Sequence, residues 1–390
     1  MAEPHPRRGL KDLFPEVVVH ISKFADGPSR LAFASCSKHT RSLWARFAFA
    51  RIRFEGDQES LANRLELYLN RRSTIPRHQI KSLTIVLWPP PTRPVATWDI
   101  DQPRDTPSYV LQGLPGLITE VLRRSVRLDV LRLKLHHLTP DQGMSLRQSL
   151  SHSRGLPKVK HLTVYACPAA AGTIIQRCAA SESLISLQLN SGFPSTGLQF
   201  ASIRQPSLRR LALVIDTNID VAGLPTQHIN RINPAMHSTL VQDITTLFTR
   251  LEWLVLAATH MDAPRPFNTE AEGAFLDHHI ILLCNAINGA PTLKRIAFTL
   301  PAAQIGSRII RDSPDEVPET PVDQFRRDCC FVGLVSRFFG RAPQLEQVCI
   351  MTGPGEAYSG IRTPGGMDFE KETLISVGSR PAHFPWGLFE

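Results

Sequence analysis

The frame apolar-x-x-apolar-x-apolar recurs eight times along this chain and constrains its fold more than any other feature. It reads Ile80/Leu83/Ile85, Leu128/Leu131/Leu133, Val159/Leu162/Val164 and Leu184/Leu187/Leu189, then Leu208/Leu211/Leu213, Leu251/Leu254/Leu256, Leu293/Ile296/Phe298 and Leu345/Val348/Ile350. Alternate residues of a strand point to opposite faces, so each copy predicts a short strand with one apolar face. Each Leu fully buried there contributes roughly 1.5–3 kcal/mol. Hydrophobic residues are 42% of the chain. The frame therefore also arises by chance, and its surroundings carry the argument.

Two surroundings recur. Pro157, Pro206, Pro291 and Pro343 each stand two residues before a copy. Helix-like stretches lie between copies: "SLRQSL" (145–150), "GTIIQRCAA" (172–180), "HSTLVQDITTLF" (237–248), "AFLDHHIILLCNAI" (274–287) and "FVGLVSRFF" (331–339). Strand, helix, strand at regular intervals is the mark of a solenoid. From Leu128 to Val159, Leu184 and Leu208 the steps are 31, 25 and 24 residues, near the roughly 20–29 of leucine-rich repeats. The later steps, to Leu251, Leu293 and Leu345, are 43, 42 and 52 residues and carry insertions or longer helices. The pattern resembles a divergent leucine-rich repeat. That family continues to Asn or Cys at the ninth position, where only Cys167 fits. The alternative is a compact mixed α/β domain with ordinary buried strands.

Residues between the apolar positions line the opposite face, which a solenoid uses for binding. The substrate-binding candidates are Arg132, Lys134, His161, Tyr165, Gln188, Asn190, Arg210, Trp253 and Arg295. Early strands offer polar and basic groups. Later ones offer the small residues Ala212, Val255, Ala297 and Cys349 beside Trp253, and Trp is a favoured binding anchor. The expectation is an acidic partner segment on the first half and an apolar one on the second, unless insertions or the C-terminal tail cover the later strands.

Near the N-terminus, "LFPEVVVHISKFA" (13–25) places Phe14, Val17, Val18, Ile21, Phe24 and Ala25 on one helical stripe. Pro15 suits a first turn and Glu16 the positive end of the helix dipole. Gly27 breaks the helix, Pro28 starts a second through Leu31 and Phe33, and Ser37 is placed to cap a third containing Leu43, Trp44 and Phe47. Three helices in about 40 residues make a core that is marginal without help. Part of their apolar surface is therefore expected to meet other residues or another chain.

Leu13-Phe14-Pro15-Glu16, Val17-Val18, Ile21, Phe24, Leu31, Ser35-Cys36-Ser37-Lys38, Arg41-Ser42-Leu43-Trp44 and the closing "FARIRF" (49–54) together resemble an F-box. The likeness covers residues 10–54, departs from the usual pattern at Phe14 and Thr40, and is similar to F-boxes common in filamentous fungi. It implies docking on the small adaptor subunit of a Skp–cullin–F-box ubiquitin ligase. The contacts carried over are Leu13, Pro15, Val18, Ile21, Leu31, Cys36, Ser37 and Lys38. The alternative is a helical cap sealing the domain behind it.

The implied organisation is a disordered N-terminus (1–9), an F-box-like helical domain (10–54), an α/β leucine-rich-repeat-like solenoid (55–351) with Pro-rich insertions at 88–107 and 310–324, and a Gly/Pro-rich tail (352–390). Ser313-Pro314 in the second insertion is a candidate phosphorylation site, "TGPGEAYSGIRTPGGM" (352–367) reads as flexible, and the aromatics of "HFPWGLFE" are candidates to dock back.

The net charge is +9, but the arginines are dispersed, which argues for a solvated surface and against a nucleic-acid partner. No segment has the length of a membrane span or the pattern of a secretory signal. The reading is a soluble intracellular protein, cytoplasmic and/or nuclear. Seven cysteines without a C-x-x-C pair indicate neither a disulfide framework nor a zinc site; vicinal Cys329-Cys330 sits in an apolar run that disfavours thiolate. No P-loop, G-x-S-x-G or H-E-x-x-H occurs. His136-His137 and His278-His279 are neighbours whose side chains point apart on a regular element. No catalytic residue, metal or cofactor is assigned. The leading expectation is a non-enzymatic substrate receptor of a ubiquitin ligase. The alternative is an interaction scaffold of leucine-rich-repeat type without a ligase role, and an enzyme with an unrecognised site ranks behind both.

Overall fold

The computed structural model describes residues 14–70, 77–89, 111–179, 182–190, 205–215, 238–258, 270–300, 321–352, 356–373 and 384–385. The expected disordered residues 1–9, Leu13, Ser313-Pro314 and most of both Pro-rich insertions lie outside them. The chain divides into two compact units, Met1–Val159 with Tyr165–Ala179, and Lys160–Val164 with Ala180–Glu390.

The first unit opens with three short helices, α1 (Pro15–Phe24), α2 (Gly27–Cys36) and α3 (Lys38–Ala48). The break after α1 comes from capping rather than from Gly27: Asp26 accepts the Ser29 N–H at 2.8 Å, and Gly27 already belongs to α2. Strands β1 (Arg51–Gly56), β2 (Ser82–Leu87) and β3 (Val130–Lys134) pair in parallel in chain order. The segment 49–54, read as the close of the helical domain, thus enters the sheet, with Ile52 opposite Leu83 and Phe54 opposite Ile85.

Helices α4 (Gln58–Leu69), α5 (Leu114–Arg124), α6 (Pro140–His152) and α7 (Pro168–Cys178) complete this unit. Neither α4 nor α5 is among the stretches read as helical, although Leu61, Leu65 and Tyr68 and, on α5, Ile118, Val121 and Leu122 are buried at helical spacing. Helices α4 and α6 and the turn that leads into α5 are tied by a buried amide. Gln142, which closes the capping box of α6 with Thr139, is fully buried and donates to Gln58 Oε1 at 2.9 Å and to the Leu111 carbonyl at 3.0 Å. Gln142→Leu takes the Oε1 acceptor from the Thr139 N–H and the Gln58 amide and is expected to cost about 1–3 kcal/mol, read as a lower urea midpoint.

In the second unit, β4 (His161–Tyr165), β5 (Ser186–Asn190), β6 (Arg210–Ile215), β7 (Trp253–Ala258), β8 (Arg295–Thr299) and β9 (Gln347–Met351) are followed by β10 (Glu356–Thr363) and β11 (Gly366–Thr373). Each pairs with the next, in parallel from β4 to β9 and antiparallel thereafter. The fold is thus mixed α/β with a large, mostly parallel sheet. Helices α8 (Ser238–Leu247), α9 (Glu270–Asn288) and α10 (Pro321–Arg341) fall on the helix-like stretches; α10 reaches back to Pro321, into the segment read as an insertion.

The predicted apolar positions form in-register ladders. Leu187, Leu211, Leu254, Ile296 and Val348 stand opposite one another, as do Leu189, Leu213, Leu256, Phe298 and Ile350. At β8 this face meets α10, with Phe298 5.3 Å from Phe338 between ring centroids.

A single turn also repeats. The N–H of Leu208, Leu251, Leu293 and Leu345 bonds the carbonyl three residues earlier, at Gln205, Phe248, Ala290 and Ala342. Pro206, Pro291 and Pro343 occupy the second position of these turns, where the proline φ is preset. At each strand start two successive N–H groups then bond one carbonyl of the preceding strand start: Ile185 takes Arg209 and Arg210, Arg209 takes Glu252 and Trp253, Glu252 takes Lys294 and Arg295, and Lys294 takes Glu346 and Gln347. The same device joins Ala50 to Lys81 and Ser82, and Lys81 to Asp129 and Val130, in the first unit. The side chains at these starts pair by charge, Arg209 with Glu252 at 3.2 Å and Lys294 with Glu346 at 2.8 Å. Such exposed pairs set register more than stability.

Residues 356–373, read as part of a flexible tail, form a β-hairpin instead. Pro364-Gly365 make its two-residue turn, and Gly366 follows with φ +143°, a conformation only glycine adopts readily.

Candidate functional site

The N-terminal stripe does not have one destination. Val18 of α1 joins Ala34 of α2 and Trp44 of α3 in a hydrophobic cluster of their own, with Ile21, Ala25, Phe33 and Ala48 packed against it. Phe33 stacks on Trp44 at 4.9 Å. The other apolar residues of the stripe face outward: Phe14 is 75% exposed, Phe24 78% and Val17 41%, and Leu31 of α2 is 47% exposed. Phe24 meets His20 edge-on at 5.2 Å.

Of the residues carried over as adaptor contacts, Leu13 lies outside the described residues, and Pro15 is placed by its backbone at the start of α1. Val18 is 1% exposed and Ile21 half-buried, so both build the three-helix core rather than its surface. Leu31, Cys36, Ser37 and Lys38 are exposed. The last three form the junction of α2 and α3, which is locked reciprocally: Ser37 Oγ accepts the Thr40 N–H at 3.0 Å, and Thr40 Oγ1 accepts the Ser37 N–H at 2.9 Å. Thr40, one of the two departures from the F-box pattern, thus closes a cap. Phe14, the other, is an exposed ring. Phe14, Val17 and Phe24 are missing from the carried-over contacts because a stripe with apolar residues on two sides does not say which side is inside.

On the sheet face turned away from α10, the strand register brings the substrate-binding candidates of the second unit into rows. His161, Ser186, Arg210, Trp253, Arg295 and Gln347 stand side by side. The Trp253 ring lies between two guanidiniums, that of Arg210 at 4.0 Å and that of Arg295 at 4.6 Å from its centroid. Burial, opposed by Glu252 and reinforced by Arg295 and Arg209, draws the Arg210 pKa down. In the next row Thr163 and Gln188 precede Ala212, Val255, Ala297 and Cys349, and the Thr163 hydroxyl donates to Gln188 Oε1 at 3.4 Å. Asn190 ends β5, and its side chain lies outside the described residues.

Phe384 changes the picture of the later strands. It is 3% exposed and packs with Ala212, Val255, Ala297, Cys349, Met351 and Ala357, its ring 5.7 Å from Trp253 at 82°. The expected open apolar half is therefore occupied by the chain itself, and Trp253 is half-buried rather than exposed.

The remaining candidates belong to the first unit. Arg132 is half-buried on β3, opposite Thr84 and in one row with Arg53. Lys134 lies 5.5 Å from the Tyr165 ring centroid. Burial, then the charges of Arg53 and Arg132, pull the Lys134 pKa down, and burial pushes the Tyr165 phenol up to about 12.

His136 and His137 lie in the turn after β3 rather than on a regular element, so their rings do not diverge as expected. Their centroids are 3.9 Å apart, and burial lowers both pKa values. Among the described residues no group of three or more His, Cys, Asp and Glu could hold a metal ion, and no helix is long and apolar enough to cross a membrane. No protein-family model matches the chain, and a comparison with curated proteins returns no match.

Proposed function

We propose that the chain is an F-box substrate receptor: α1–α3 dock on the adaptor of a Skp–cullin–F-box ubiquitin ligase, and the strand-and-helix body, of leucine-rich-repeat type, holds a protein substrate. The observation that carries this reading is the three-helix core of Val18, Ala34 and Trp44 ringed by exposed Phe14, Val17, Phe24 and Leu31. Exposed apolar residues grouped on so small a core mark an interaction surface. The repeated turn and the repeated pair of N–H groups at each strand start support a repeat body. Such a receptor needs no chemistry of its own. It raises the concentration of a bound substrate near the ubiquitin-loaded enzyme.

The test is co-expression of the full chain with the adaptor. A one-to-one complex is expected. The double variant Phe24→Asp/Leu31→Asp, at two exposed positions, is expected to keep the thermal melt and to weaken adaptor binding by about 1000-fold, as loss of two contacts of hot-spot size implies. A folded wild-type chain that leaves the adaptor unbound defeats the ligase reading and favours a scaffold.

A further inference from the structure

Resting on the reading of the second unit as a receptor, we infer that the outer edge of β11 binds an extended segment of a protein substrate as an added antiparallel strand, in which basic side chains alternate with apolar ones. β11 is the last strand of the sheet, and among the described residues no strand pairs with its outer edge. Its register with β10 runs one to one from Thr363–Gly366 to Glu356–Thr373. Alternate pairs of an antiparallel ladder exchange both hydrogen bonds, and the pairs between them exchange none. The Arg362 N–H bonds the Glu346 carbonyl, on the β9 side. Arg362–Met367 is therefore a pair without ladder bonds, and so are Gly360–Phe369 and Tyr358–Lys371. Met367, Phe369 and Lys371 accordingly turn their N–H and C=O groups to the outer edge. Natural sheets block such edges with bulges, prolines or inward-pointing charges. β11 has no bulge and no proline, and its inward charge, Lys371, is held by Asp328 of α10 at 3.3 Å.

The side chains of β11 define the occupant. On the side of α10, Phe369 stacks on Tyr358 at 5.9 Å and the Met367 sulfur lies 3.9 Å from the Ser336 hydroxyl. Phe325 extends this apolar surface: it is 68% exposed and stands one helical turn before the Asp328 that reaches Lys371. An added strand covers this side with apolar residues. On the opposite side Asp368 and Glu370 are both exposed. Residues directly opposite across a strand pair stand about 4.5–5.5 Å apart, so this row matches cations at alternate positions. The same row disfavours a second copy, because two β11 edges paired antiparallel would set acid against acid.

The probe is a synthetic peptide as long as β11 that alternates Arg with Val, titrated by fluorescence polarisation into the full-length chain. A second peptide carries N-methyl groups on its Val residues, whose N–H groups face β11 in this pairing. A third has Glu in place of Arg. The wild-type chain is expected to bind the Arg-Val peptide, and N-methylation to weaken it by at least about tenfold. Asp368→Lys/Glu370→Lys should keep the melt, weaken the Arg-Val peptide by about tenfold and take up the Glu-Val peptide instead. An N-methylated peptide that binds as tightly as its parent means attraction by charge alone and overturns the inference. That comparison uses the wild-type chain only, so it holds even where the variant misfolds. A folded double variant with unchanged affinity for both peptides also overturns it. A wild-type chain that sediments as a dimer and ignores the peptide gives the edge to a second copy, and a monomer that ignores it leaves the edge without this ligand; either result ends the inference. These readouts do not involve the adaptor, so they can fail while the complex with α1–α3 forms, and the reverse.

Discussion

Trp44→Ala is expected to melt α1–α3 while the strands of both units stay folded. Trp44 is 1% exposed, stacks on Phe33 and meets Phe47 edge-on at 6.4 Å, in a cluster whose only other fully buried members are Val18 and Ala34 among the described residues. Truncating a buried Trp costs about 3–5 kcal/mol. A helical trio of about 35 residues has no more than that to lose. Hydrogen exchange should show protection lost across 15–48 and retained at Leu83, Leu131 and Leu254. Adaptor binding should disappear with it. One shared transition, in which strand protection falls together with that of the helices, would show that the trio is not separable from the sheet.

That locality explains which parts of the structure are legible in the sequence. The ladder positions follow from a period-two pattern that each strand carries within itself. The prolines at 206, 291 and 343 mark a turn whose hydrogen bond closes over four residues. Both signals are local, and the register of the Arg210–Trp253–Arg295 row follows from them. β1 is harder to read because only two residues separate it from α3, and its Ile52 and Phe54 continue the apolar content of that helix. The split of α1 into Val18, Ile21 and Ala25 inside and Phe14, Val17 and Phe24 outside has no local signal either. Trp44 and Phe33 decide it, by filling the space on one side.

The place that Phe384 fills marks the limit of such reading. Trp253 and Phe384 are more than a hundred residues apart, and neither has neighbours that announce the other. The small residues Ala212, Val255 and Ala297 are the nearest thing to a signal. A row of small side chains in a strand face leaves a trough, and a trough in a folded chain must be filled by something. The aromatic tail is a candidate to fill it, but composition cannot choose between that and a partner's side chain.

The hairpin escapes a local reading for a related reason, and it yields the second large effect: Gly360→Val is expected to destabilise the second unit severely. A Cβ at Gly360 would overlap Val335 Cγ1 and stand 3.1 Å from Phe339 Cε2, both on α10. The glycine that makes 356–373 look flexible is thus what lets the helix lie directly on β10. Tyr358, two residues earlier on the same face, fixes that contact. It stacks on Phe331 at 4.3 Å and donates its hydroxyl to Asp328 Oδ1 at 2.7 Å, with Lys371 of β11 also 3.3 Å from that oxygen. Overpacking a tight contact costs about 1–3 kcal/mol for a modest insertion, so Gly360→Ala should lower the melt and Gly360→Val should lower it further. Gly333→Ala is the matched control. A Cβ there meets nothing within 4 Å, and the exchange favours the helix by about 0.5–1 kcal/mol. Opposite shifts from two glycine substitutions, one on α10 and one facing it, would locate the constraint in the helix–hairpin contact. Equal tolerance of both would mean that the hairpin does not rest on α10, and that the sheet ends at β9 as the sequence pattern alone suggests.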